Sequence, residues 1–387
     1  MYKRQLLNHL YKSNQLEFFF TTIGFGIDYH LSPESLRKKR SYNIPDKKIK
    51  RLWFPEIMRL MRDGNQENRR RAADFSYSCL DQQVSENLIK SKAKVLHAYE
   101  DGALKSFGKA KDLGIKCSYE LPIAHWATVR RLLSNEAERY PEWEPTLEST
   151  REPEEKLIKK ENELILADRI VCPSNFVLES IPQKIRSHKP CIVTPFGSPH
   201  VFGPIEKTER KSYAPLKLLF VGSMSQRKGL ADVFEAMKIL KREPIELSIL
   251  GRPSLPMQFY RKQLSNFHYF PPCSHSDVIR IMQSHDALVL PSIIEGRALV
   301  QQEALANGLP IIVTKNAGGE DLVREEITGF LVPICSPEKI AEKIVYLLEN
   351  RNSLDELKRC CQLMASKYKW ANYAQRIFDF KKNRSFP

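Results

Sequence analysis

The 387 residues, 42% hydrophobic and 28% charged, suffice for two domains with separate cores, and no apolar run approaches the roughly 20 residues that span a bilayer. The start, MYKRQLLNHLYKSNQ, lacks a signal-peptide core, and eight cysteines without CxxC or Cys/His spacing read as reduced thiols, so a cytoplasmic protein is expected. A net charge of +15 asks for an anionic partner, but no zinc finger, helix-turn-helix or aromatic-interleaved basic strand supports nucleic acid.

Residues 4–13 read as a helix with Leu6, Leu7, Leu10 and Tyr11 on one face, followed by a strand at 16–22. Residues 30–75 read as polar and irregular, broken by Pro33, Pro45 and Pro55. Within them lies a basic cluster, Arg37-Lys38-Lys39-Arg40 and Lys47-Lys48-Ile49-Lys50-Arg51. It is either a solvated loop or an attractor for anionic headgroups or a phosphorylated acceptor, which would place the protein at the inner membrane face. A helix at 76–92, a strand at 94–98, a helix at 99–114 and a strand at 115–121 follow. Helices at 128–140 and 152–167, a strand at 169–173, a helix N-capped by Ser174 and a strand at 191–195 complete a first domain at 1–196. Strand–helix alternation implies parallel strands with right-handed crossovers.

Residues 197–215, rich in Gly and Pro without a period, read as an interdomain linker. The second domain, 216–367, opens with a strand at 217–221, the loop GSMSQRKG at 222–229 and a helix at 230–240. A strand at 245–250 ends at Gly251-Arg252, and a helix at 275–284 precedes a strand at 286–290. Helices at 337–350 and 353–367 close the domain, and a final segment, 368–387, is expected to cross back to the first domain as a helix.

The informative stretch is PSIIEGRALVQQEALANGLP at 291–310: a loop, then a helix ending at Asn307-Gly308, then the next strand. A helix start leaves backbone N–H groups unpaired and carries roughly half a positive charge, so Gly296, Arg297, Ala298, Leu299 and Val300 can receive a phosphate. Glu295 outside the helix and Glu303 along it can grip hydroxyls on either side of that phosphate. In the earlier loop, Arg227 and Lys228 can neutralise a diphosphate; cations at a helix start oppose the dipole, which favours a bound anion there.

The Glu-x7-Glu spacing inside PS-x-x-EG, with FVGSMSQRKG, ILGRP, DALVLPS, NAGGEDLV and ITGFLVP in order, resembles GT-B retaining glycosyltransferases of family 4 (glycosyl transferases group 1) from about residue 216 to the end. The resemblance implies an α/β GT-B fold of two doubly wound Rossmann-like domains facing a cleft. The first domain is expected to lack its opening strand, because a helix precedes the first strand. The implied activity is transfer of a hexosyl group from a nucleotide-diphosphate sugar to a glycan or lipid-linked acceptor, as in exopolysaccharide synthesis. A catalytically degenerate nucleotide-sugar-binding protein, and a sugar-nucleotide epimerase or hydrolase, are the alternatives. No Asp-x-Asp occurs, so no metal or other cofactor is expected. Diphosphate contacts fall to Ser223, Arg227, Lys228 and residues 296–300, and nucleoside contacts to Glu303 and Arg252. Ser223 stands where the family has a cation. Arg297 stands where it commonly has an aromatic, and it either adds a bidentate phosphate contact or points to solvent. The family's first-domain histidine corresponds to His125 or His97, and the glycine turn Asn316-Ala-Gly-Gly319, followed by Glu320, would line the sugar pocket.

Overall fold

The structure, a computed structural model, describes residues 2–29, 40–61, 66–147, 152–199 and 214–378. Helix α1 (Tyr2–Lys12) leads to β1 (Phe19–Thr21), which pairs in parallel with β2 (Ile49–Arg51) in a separate two-stranded sheet. Helices α2 (Trp53–Met61) and α3 (Gln66–Leu88) follow, in a stretch the sequence pattern assigns largely to irregular structure. That expectation fails for two reasons. Pro55 falls in the first turn of α2, where its missing N–H is not needed. The first turns of α3, QENRRRAADF, hold strong helix formers without an apolar stripe to announce them.

The first half continues with β3 (Val95–Tyr99), α4 (Leu104–Asp112), β4 (Lys116–Glu120), α5 (Trp126–Arg139), α6 (Glu154–Leu166), β5 (Arg169–Cys172), α7 (Asn175–Ser180), α8 (Gln183–Arg186) and β6 (Cys191–Val193). Strands β3-β4-β5-β6 form one parallel sheet in that order, which β1 does not join.

The second half runs β7 (Leu216–Val221), α9 (Leu230–Ile239), β8 (Ile245–Leu250), α10 (Met257–Gln263), β9 (His268–Phe270), α11 (His275–Gln283), β10 (Ala287–Leu290), α12 (Leu299–Ala306), β11 (Ile311–Thr314), β12 (Gly329–Val332), α13 (Pro337–Glu349) and α14 (Leu354–Ser366), with α15 (Trp370–Phe378) last. Its parallel sheet has the order β12-β11-β10-β7-β8-β9. Strands β7 and β10 are neighbours from which the chain winds outward in opposite directions. Such a switch point opens a crevice beyond the strands' C-terminal ends. Both loops singled out in the sequence start there.

The cores interlock. Trp143, between α5 and α6, is buried in the second sheet's core against Phe234, Phe259 and Tyr260. Ile293 and Ile294, beyond β10, are buried in the core of the first sheet. Polar contacts join the same surfaces: Arg139 pairs with Asp232 at 2.6 Å, and Gln226 donates to Glu136 at 2.6 Å. Helix α15 packs Tyr373, Ala374 and Ile377 against Leu6 and Leu10 of α1. Packing therefore crosses the sequence division at 196–215 in both directions.

Candidate active site

A cleft of about 320 Å³ opens at the switch point. Pro122 and Phe196 line it from the first half, and Gly222, Lys228, Glu295 and residues 297–300 from the second. Gly296 holds the two halves together. A Cβ there would lie 1.7 Å from the Pro122 carbonyl oxygen, and the Gly296 carbonyl accepts from Ser174 Oγ at 2.6 Å. Glycine is thus demanded by the close approach of two backbones. Gly229 ends the other loop at φ +76°, the left-handed conformation that lets α9 begin.

Arg227, Lys228 and Glu295 form one charged group. Arg227 Nη1 lies 2.6 Å from Glu295 Oε1, and Lys228 Nζ pairs with the same oxygen. Burial, with repulsion from Arg227, holds the Lys228 ammonium below its usual range against the pull of Glu295. A buried cation whose sole carboxylate partner is shared has capacity for a further anion. Ser223 is turned to Ser225, their hydroxyl oxygens 3.2 Å apart.

The helix start offers fewer donors than its sequence implies. Ala298 N–H is spent on the Ala317 carbonyl at 3.0 Å, and Glu295 N–H on that of Asn316 at 3.0 Å. Those of Leu299 and Val300 meet no backbone acceptor among the described residues. Arg297 corrects the sequence reading further. Its side chain reaches neither solvent nor a phosphate position. It is wholly buried and bidentate on Asp321, at 2.7 and 3.1 Å, with Gly318 O at 3.0 Å and Gln302 Oε1 at 3.2 Å. Only its backbone faces the cleft.

The Glu303 carboxylate, half-buried on α12, has no hydrogen bond or ion pair among the described residues, and burial raises its pKa. Glu320 is similar: both its oxygens are enclosed without a partner among the described residues beyond the residue's own backbone, and burial raises it too. Arg252 is exposed.

Neither histidine lines the cleft. His125 is 1% exposed and caps α5 through Nδ1, which accepts from Ala127 N–H at 3.3 Å. With Nδ1 an acceptor, the proton sits on Nε2 and is donated to Glu161 at 3.0 Å. Burial lowers its pKa. His97 lies between Ser118 Oγ at 3.2 Å and Glu120 at 3.0 Å, and Glu120 also accepts from Tyr373 OH at 3.0 Å. Its ring meets Phe378 edge-on, so it serves the seam with α15. Each ring nitrogen of both histidines is thus engaged within the protein.

Sequence reasoning did not single out Pro122, Phe196 or Gln302, nor the role of the Asn316 side chain. Asn316 Nδ2 donates to Ile293 O at 2.8 Å and fixes the loop before Glu295. Gln302 Nε2 donates to Phe196 O at 2.6 Å, tying the cleft's far wall to α12. The NAGG glycine turn signals the first; nothing in the sequence signals the second.

Two Rossmann-like domains joined across a cleft, with the polar groups on the second, define a GT-B fold. Residues 204–362 match the family Glycosyl transferases group 1. Along the whole chain the fold resembles sucrose-phosphate synthase from Thermosynechococcus elongatus, with TM-score 0.64 and 16% identity over 97% of this chain and 90% of that one. Anabaena Alr3699/HepE in complex with UDP gives TM-score 0.56 and 15% identity over 77% of this chain and 80% of that one. A curated relative, D-inositol 3-phosphate glycosyltransferase of Corynebacterium urealyticum, is 26% identical over 61% of either chain. This and two further relatives are covered over only 36% to 61% of their own length.

Proposed function

We propose that the protein transfers a sugar from a nucleoside-diphosphate donor to an acceptor hydroxyl, with retention at the anomeric carbon. The observation that carries this is the set of charged and unpaired groups at the cleft and beyond it on α12. The Arg227–Lys228 pair and the amides of Leu299 and Val300 suit a diphosphate, with unpaired Glu303 beyond them for ribose hydroxyls. Glu295, released from the two cations as the diphosphate takes its place, turns to the sugar. The leaving phosphate gains charge in the transition state, which these cations stabilise without a metal. The acceptor oxygen bonds to the anomeric carbon on the face from which the phosphate leaves, and its proton passes to a phosphate oxygen. The acceptor, a glycan or a lipid-linked sugar, enters along Pro122 and Phe196.

Ser223 favours a second reading, a nucleotide-sugar-binding protein without turnover, because it leaves one cation fewer at the phosphates. Proton NMR of UDP-, GDP- and ADP-sugars incubated with the protein and mixed glycan acceptors separates the two. Transfer predicts a new glycoside whose anomeric configuration matches the donor's. An inverted product refutes retention, and binding without consumption selects the second reading.

A further inference from the structure

Helix α2, WFPEIMRLM, is packed with its polar side inward. Among its residues whose side chains are described, the buried ones are Pro55 and Glu56, the latter 4% exposed. Ser76 Oγ on α3 donates to the Pro55 carbonyl at 3.1 Å, while Arg59 and Arg40 hold Glu56 at 2.6 and 3.8 Å. Four apolar residues face out instead. Trp53, Phe54, Ile57 and Met58 are 37%, 67%, 46% and 37% exposed. Their spacing of one, four and five residues puts them on one side of the helix. Phe75 and Tyr77, flanking Ser76 on α3, are exposed as well. Single exposed apolar residues need no explanation; a helix face made of them does.

Residues 40–59 carry six cations, Arg40, Lys47, Lys48, Lys50, Arg51 and Arg59, against two anions, Asp46 and Glu56. Their disposition refines the expectation placed on the basic cluster. Arg37, Lys38 and Lys39 lie outside the described residues. Arg51 turns inward to Asp46 and stands 4.9 Å from the Tyr29 ring centre, and Lys48 Nζ donates to the Leu16 carbonyl at 2.9 Å. Lys47 is exposed, and Lys50 stands over the Phe18 ring at 4.7 Å. The outward surface thus combines an aromatic-aliphatic face with a basic rim of two lysines, Lys47 and Lys50.

We propose that α2 and the basic strand before it dock the protein onto an anionic lipid bilayer. The proposal does not depend on the transfer reaction. A short helix with Trp and Phe on one side and cations beside it lies in the headgroup plane, its apolar side among the upper acyl chains. Among the described residues no helix is long and apolar enough to cross the membrane, so the contact is peripheral. Charge argues against a second copy as the occupant, because a two-fold contact would set two cationic rims against each other. An anionic lipid surface complements both the rim and the apolar face.

The test is sedimentation of the full chain with phosphatidylcholine vesicles, with and without phosphatidylglycerol. The wild type is expected to pellet only with the anionic vesicles. Phe54→Ser with Ile57→Ser, at exposed positions, is expected to bind at least about tenfold more weakly with unchanged thermal unfolding. Lys47→Glu with Lys50→Glu is expected to lose the preference for phosphatidylglycerol. Wild-type protein left in the supernatant overturns the proposal, as does a serine variant that pellets like the wild type. A dimer in analytical ultracentrifugation that the serine substitutions dissociate overturns it in favour of a second copy. Should the serine variant unfold, the charge variant decides, and undiminished pelleting overturns the proposal.

Discussion

Replacing Arg297 with alanine separates a residue that holds the cleft's wall from one that holds a ligand. The guanidinium, with no exposed side-chain surface, makes two bonds to Asp321 and one each to Gly318 O and Gln302. Burial would raise the Asp321 carboxyl, but the charge and hydrogen bonds of Arg297 hold it below its usual range. In the alanine variant Asp321 loses its cation beside Glu320, a second enclosed carboxylate. Removing one partner of a buried ion pair costs about 3–5 kcal/mol. Asp321 is 27% exposed, so solvent relieves part of this and about 3 kcal/mol is expected. Urea unfolding measures the loss, and titration with a nucleoside diphosphate measures binding. The affinity is expected to stay within about threefold of wild type. Arg297→Met with Asp321→Leu should recover much of the stability, because neither member of the pair is left as a lone charge. Unchanged unfolding with tenfold weaker nucleotide binding, a loss of about 1.4 kcal/mol, would refute the reasoning and return Arg297 to the phosphates.

Trp143→Ala is expected to cost about 3–5 kcal/mol and to split thermal unfolding into two transitions, since the ring ties the first half to the second sheet's core; one unshifted transition in calorimetry would contradict the interlocked packing. Glu100, pushed up to about 8 by burial against the opposing charge of Lys160, binds a proton in the folded state that the unfolded chain releases near 4.5, so stability falls as pH rises through that window. Glu100→Gln removes the titration, and urea midpoints at about pH 6 and about pH 9 should then differ less than in the wild type. Lys228→Ala should weaken nucleoside diphosphate binding by roughly tenfold to a hundredfold in calorimetric titration, the worth of a charge-assisted hydrogen bond. Its unfolding midpoint should change little, because Glu295 keeps Arg227 at 2.6 Å.

Most of the second sheet was legible because its buried strands, such as 287–290 and 311–314, are continuous apolar runs closed by Pro, Gly or Asn. Strand β9 and helix α10 were not, because three residues of HYF and seven of MQFYRKQ are too short to show a period. Helix α2 escaped because Pro55 reads as a breaker and its apolar face points away from the protein, where the usual inference from pattern to core fails. At the site, the glycines and charges of the 222–229 and 291–298 loops announced where the cleft would form. Side-chain destinations were not announced. Whether Arg297 meets a phosphate or Asp321 depends on residue 321, twenty-four positions on, and on the β11 loop that brings it near. The histidines were ambiguous for a related reason. A histidine near a strand end has the same local sequence whether it faces the cleft or, like His125, caps the next helix.

Thermal unfolding with UDP, GDP, ADP and their sugars, beside Glu303→Gln, decides whether a nucleotide donor binds along α12. At a hundred times its dissociation constant a ligand adds about 2.7 kcal/mol, a plain upward shift. A shift with one nucleotide that Glu303→Gln diminishes is the predicted result, and it would name the donor's base. No shift with any of them, or one that Glu303→Gln leaves intact, would contradict a donor site along α12.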